Sequence, residues 1–458
     1  MKKISIILTI LSVAFLCIQA AEGDPKKKHI KASQQRTGDA HIGYDYLMNG
    51  DYVSSGIPAI IFGNGSDSTS FRLGRQKQNH TLPPQFTHII NDSIEMVAPN
   101  CLSCHGDYLN GEYIVGLGNS SFNYAINIAP ATNFLSMTLK SKYGQDSKEW
   151  RAYSPFEKAS RVINPKITTQ TRGVNPADKL TAVLVAHRDP ATLAWRDTAA
   201  LDIPNITIPT DVPPWWALKK KNAMFYTAIG RGDFSRFLMA SSILTMKDST
   251  EARQIDEKFP DVLAWINTIE PPRYPEKIDQ SLADEGELIF HTHCSGCHGT
   301  YGESGEYPNY LVSLETIGTD RALSDAYTKG TYREFIEWYE QSWFSKGNHP
   351  GEVVVEEGYV AQPLDGIWAS APYLHNGSIP TVEAILNSEL RPQYWKRSYD
   401  SYDYNYDALG WNYEELNEKE DNETYDTTIE GYGNAGHLFG DKLLDDERKA
   451  VIEYLKTL

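Results

Sequence analysis

Cys101–Asp107, CLSCHGD, and His291–Thr300, HTHCSGCHGT, are the stretches on which the reading of this chain turns. Each contains Cys-x-x-Cys-His, and together they use four of the five cysteines in 458 residues. Two thiols two residues apart, followed at once by an imidazole, suit thioether attachment of one haem, with the histidine as proximal ligand of its iron. A zinc site or a redox dithiol would leave that histidine without a task, and two disulfides would not explain its recurrence. Cys101 and Cys104 are therefore read as holding one c-type haem above His105, and Cys294 and Cys297 a second above His298.

The fifth cysteine, Cys17, lies in MKKISIILTILSVAFLCIQAAEGDP, where Lys2 and Lys3 precede an apolar run that ends in small residues. That order reads as a secretory signal over residues 1–21 and predicts a periplasmic or secreted protein. With 41% apolar residues the chain has the composition of a globular protein. Its net charge of −17, or −19 without Lys2 and Lys3, argues against nucleic acid and anionic lipid as partners and suits a cationic electron donor.

His105 and His298 stand 193 residues apart, too far for two haems in one small module. The spacing predicts a mainly α fold of two cytochrome c-type domains, each with one covalently bound haem, plus long irregular insertions. The C-terminal domain is expected to open on a helix near Ala283–Phe290 and close on Asp445–Leu458, where Val451, Leu455 and Leu458 recur at helical spacing. Val262–Ile269, VLAWINTI, lies over Val451–Leu458, VIEYLKTL, with Trp265 in the place of Tyr454. Histidine and aromatic are separated by 160 residues in one half and 156 in the other. The N-terminal domain is accordingly drawn as 22–270, a proline-rich linker as 271–280 and the C-terminal domain as 281–458.

A filled sixth iron position favours electron transfer and an empty one permits chemistry. No methionine follows Met246, so the second haem must find its distal donor among His349, His375 and His437. His437 is favoured because it sits in a glycine-rich loop, GYGNAGHLFG, that feeds the closing helix. Met137, His187, Met224, Met239 and Met246 follow Cys101 without a comparable loop, and the first iron is expected to be open or weakly held on its distal side.

CLSCHG, CSGCHG, the segment PLDGIWASAPYLHNGSIP and the C-terminal GNAGHLFGDKLLDDERKAVIEYLKTL resemble the di-haem cytochrome c peroxidase and MauG superfamily. VPPWWALKKKNAMFY and YGNAGH look most like its rubber-oxygenase branch, with histidine where peroxidases tend to place methionine. The resemblance implies a reactive N-terminal haem, an electron-relay C-terminal haem and ligation of the latter by His437. This chain is considerably shorter than the polymer-cleaving members, and its first distal pocket does not align residue by residue, so its catalytic residues stay unassigned.

For that pocket, residues 170–245 offer Arg172, Asp178, His187, Arg188 and Asp189 to move protons, and Trp215, Trp216, Phe225 and Phe234 as apolar walls. Trp215 and Trp216 are also candidates to pass electrons between haems. His375, in a tight turn, reads as a structural hydrogen-bonding group. The stretch from Tyr394 to Tyr432, dense in Tyr, Asp, Asn and Glu, offers oxygen ligands for calcium but no regular ligand spacing. Two classes of function follow: an enzyme using peroxide or O2, peroxidase-like or alternatively an O2-dependent dioxygenase cleaving a polyisoprenoid, and a plain electron carrier. The separation of the motifs exceeds what a carrier needs and favours the enzyme.

Overall fold

The computed structural model describes residues 26–63 and 68–458; the expected leader, 1–21, lies outside them. Two helix pairs frame the molecule. In the first, α1 (Ala40–Asn49) packs on α2 (Phe259–Ile266); in the second, α3 (Gln280–His293) packs on α4 (Asp445–Leu455). The carboxylates of Asp39 and Asp279 cap α1 and α3 by accepting from backbone N–H groups of the first turn. Pro260 stands in the first turn of α2, and Asp445, Asp446 and Glu447 occupy the first turn of α4, at the positive end of its dipole.

The two pairs are built alike. A Cβ on Gly43 would lie 1.9 Å from the Asp261 carbonyl oxygen, and one on Gly286 would lie 1.9 Å from that of Ala450. Asp261 and Ala450 occupy the same place, directly ahead of the matched segments that begin at Val262 and Val451. Trp265 packs on Tyr44 with ring centres 5.2 Å apart, and Tyr454 packs on Phe290 at the same 5.2 Å. Each closing helix thus approaches its partner over a glycine and locks with an aromatic pair. Valine at Gly43 or Gly286 is expected to force that crossing apart and cost about 1–3 kcal/mol. Urea unfolding checks this, and midpoints equal to the parent's would contradict the close approach.

The halves differ between helix and motif. Gly286 is eight residues from Cys294, whereas Gly43 is 58 from Cys101. The extra segment ends in an antiparallel hairpin, β1 (Phe86–Asn91) and β2 (Ile94–Pro99), that leads straight into the first motif. Asp92 and Ser93 both have positive φ, the turn whose twist matches the strands. Gly106–Leu109 and Glu112–Val115 form a second hairpin through Asn110-Gly111, again with positive φ at both.

Such hairpins overturn the expectation of a mainly α fold: the described residues are 38% helical and 13% strand. The strands lie in small sheets of two or three. Short ladders run through parts of the insertions, because backbone groups removed from water need partners, whereas residues 187–214 form only turns and isolated bridges. Some ladders join distant parts of the chain: Lys27–His29 pairs with Tyr310–Val312, and Gly230–Gly232 with Gly351–Val353. The apolar interior forms two main clusters. One gathers Leu47, Trp215, Phe259 and Ile266; the other gathers Leu109, Trp216, Phe290 and Val451. Residues 271–279 between α2 and α3 form no helix or strand.

Candidate functional site

Both motifs fold as one tight turn. The histidine N–H donates to the carbonyl of the first cysteine, at 3.0 Å for His105 and 3.1 Å for His298. Cys294 ends α3, so that helix delivers the second motif to the wall of a cavity of about 410 Å³. Cys294, Cys297, His298 and His437 all line it, and its size is in the usual range of cofactor sites, roughly 300–1,000 Å³.

His298 is fixed by its Nδ1, 2.8 Å from the carbonyl oxygen of Gln362, which leaves Nε2 for the cavity. His437 faces it with ring centres 6.2 Å apart. Two imidazoles on opposite faces of one iron, each with a metal–nitrogen bond of about 2.0 Å, put their ring centres about 6 Å apart. The residues present therefore fit a haem tethered at Cys294 and Cys297 and ligated from both sides. Burial pushes His437 down to about 4 and also lowers His298, which keeps both rings in the neutral, metal-binding form.

The loop that delivers His437 is held from several sides. Arg391 donates to the carbonyls of Asn434, Gly436 and His437, and Asn376 to those of Gly431 and Gly433. The Asp320 carboxylate accepts from the N–H groups of Gly431 and Gly433. His437 itself has φ +48°, a conformation rare outside glycine, and a rigid loop is what maintains it. Of the other two histidines weighed for this position, His349 is exposed, and His375 is buried in the cavity wall.

The first motif has different surroundings. His105 stacks on Trp215 with ring centres 4.5 Å apart, and its buried Nδ1 has no hydrogen-bond partner among the described residues. Cys104 lies 3.3 Å from Asn175 Nδ2, and Cys101 is 3.7 Å from the Ser241 hydroxyl. Among the methionines considered for the distal side, Met239 and Met246 are buried in the first cluster and Met137 is exposed. His187 stacks on Trp195 and bonds to the Arg196 carbonyl. Trp216 belongs to the second cluster and donates to the Asp365 carbonyl at 2.7 Å, so the adjacent indoles reach into both cores.

The remaining polar candidates serve the framework. Arg172 pairs with Glu423, Asp178 accepts from Tyr327, and Asp189 pairs with Arg196. Arg188 is buried and donates from Nη1 and Nη2 to the carbonyls of Leu193, Ile243 and Met246. Phe234 is buried and Phe225 largely exposed. Among the described residues, the acidic stretch 394–432 brings together no three or more His, Cys, Asp or Glu in a group that could hold a metal ion. Its carboxylates cap turns and pair with Lys396 and Arg172.

Residues 358–396 match a family described as RoxA-like, cytochrome c-like. This RoxA-like stretch runs between the second motif and the His437 loop and supplies Tyr359, Gln362 and His375 to the cavity wall. It supports a haem cytochrome with a c-type haem. Two uncharacterized proteins of Sinorhizobium fredii are also similar. One, y4iJ, is 31% identical over 271 residues, covering 45% of this chain and 44% of its own length. The other, y4iM, is 26% identical over 232 residues, covering 46% of this chain and 51% of its own length. The chain thus spans about half the length of the curated relatives it matches.

Sequence reasoning passed over Asp211, Tyr226 and Tyr359, which line the same cavity. Burial holds His375 at about 3, so it is neutral when folded and takes up a proton on unfolding below about pH 6.5. The unfolded chain binds more protons in that window, so stability is lost as pH falls from 6.5 towards 3, by up to ~1.4 kcal/mol per unit. His375→Gln is expected to flatten this acid dependence in urea titrations. An unchanged slope would contradict it.

Proposed function

We propose that the chain is an exported di-haem c-type cytochrome with oxidoreductase activity, peroxidase-like in class. The observation that carries this reading is the pair His298 and His437, 6.2 Å apart across a cavity that also holds both cysteines of the second motif. Bound in such sites, c-type haem supplies one-electron transfer where both axial positions are filled and oxidant activation where one is open. Cys294 and Cys297 tether the C-terminal haem, His298 and His437 ligate it, and Gln362 orients His298. Cys101 and Cys104 would tether the N-terminal haem and His105 would ligate it from one side, where an open distal side would admit peroxide or O2. Trp215 against His105, followed directly by Trp216 in the second core, is the path for electrons between them. The acidic surface suits a small cationic donor protein in the periplasm or outside the cell.

The RoxA-like match favours a second reading, O2-dependent cleavage of a polyisoprenoid or related alkene. The two separate in one experiment. Donor oxidation dependent on hydrogen peroxide supports the peroxidase, whereas O2 uptake dependent on a polyisoprene emulsion supports the dioxygenase. Neither activity in a fully haem-loaded protein would reduce the chain to an electron carrier.

A further inference from the structure

The cavity holds a polar group that haem ligation does not use. Asp211, four residues before Trp215, enters its wall with its carboxylate Oδ2 2.7 Å from the Tyr226 hydroxyl, which donates to it. Its backbone N–H donates to the His375 carbonyl, also at 2.7 Å. The His375 ring stacks on Tyr359 with centres 4.1 Å apart and meets the Tyr226 ring edge-on at 6.4 Å. His375 is buried, at 5% exposed. Phe225 and Leu374, directly before Tyr226 and His375, both have positive φ, as His437 does. Strained backbone of this kind gathers where side chains are aimed at a function.

The groups around Asp211 are Tyr226, Tyr373, Tyr425 and His375, with Lys27, His298, His437 and Asp365 elsewhere on the same cavity. Asp365 is already paired with Lys220, and no cation pairs with Asp211 among the described residues. A lone carboxylate in a low-dielectric cavity opposes any further negative charge placed beside it. Reduction of a haem iron adds one.

We propose that Asp211, held by Tyr226, is a proton-accepting site coupled to the redox state of the haem in this cavity. One electron from the donor reduces the iron and one proton from water protonates the Asp211 carboxylate; on oxidation the electron leaves and the proton returns. The inference rests on the reading that the cavity holds a haem. Burial pushes Asp211 up to about 8, so its charge changes near neutral pH. The Tyr226 hydrogen bond favours the ionised form and tunes where that change falls.

Spectroelectrochemical titration of the full-length holoprotein between pH 6 and 9 tests the coupling. In the parent, the potential of the C-terminal haem is expected to fall as pH rises, approaching tenfold in the redox equilibrium per pH unit, or 59 mV. Asp211→Asn should abolish the slope. Tyr226→Phe should keep the slope and move its bend to higher pH, a shift that a purely structural role would not produce. A slope unchanged in Asp211→Asn overturns the proposal and leaves the haem assignment standing. Should that variant fail to fold, an unmoved bend in Tyr226→Phe overturns it instead. Loss of no haem when Cys294 and Cys297 become serine would sink the underlying reading, a separate failure.

Discussion

On the proposed di-haem reading, serine in place of both Cys294 and Cys297 is expected to halve the covalently bound haem, from two per chain to one, in the pyridine haemochrome assay. The thioethers require both thiols, and His298 with His437 remains as a pair without its tether. Because a tethered haem is packed and ligated only in the folded state, the variant that lacks it should also unfold at a lower denaturant concentration. The paired substitution at Cys101 and Cys104 should remove the other half. Unchanged haem content in either variant would contradict the assignment of that motif.

Glycine at His437 should have the largest spectroscopic effect. Glycine adopts φ +48° without strain, so the substitution removes the imidazole and leaves the loop its conformation. The C-terminal iron is then expected to pass from a low-spin to a high-spin signal, and free imidazole should restore the low-spin form. A low-spin spectrum untouched by the substitution would mean that another side chain, such as His375 in the cavity wall, fills the position.

The sequence signals that point to this cavity are local. Cys-x-x-Cys-His announces itself, and the absence of any methionine after Met246 narrows the second distal ligand to three histidines, of which the glycine-rich loop singles out His437. The closing helices were legible too, since Val262–Ile269 and Val451–Leu458 share a pattern set by packing. Their partners were not equally visible. α3 adjoins its motif, but α1 is cut off from Cys101 by an insertion, and only the crossing over Gly43 reveals it. The expectation of a mainly α fold failed on signals that were present: Asn110-Gly111 between Tyr108 and Tyr113 is a strong hairpin turn, masked by attention to helical spacing. Asp211 and Tyr226 could not be read from sequence, because 15 residues separate them and only the folded chain closes the hydrogen bond.

On the proposed function the two irons differ: one would be held by His298 and His437, the other by His105 with its distal side open. Electron paramagnetic resonance of the oxidised protein, before and after peroxide or O2, tests it most directly. The account predicts one low-spin signal that persists and one high-spin component that one of the oxidants consumes. Two low-spin signals indifferent to both would contradict it.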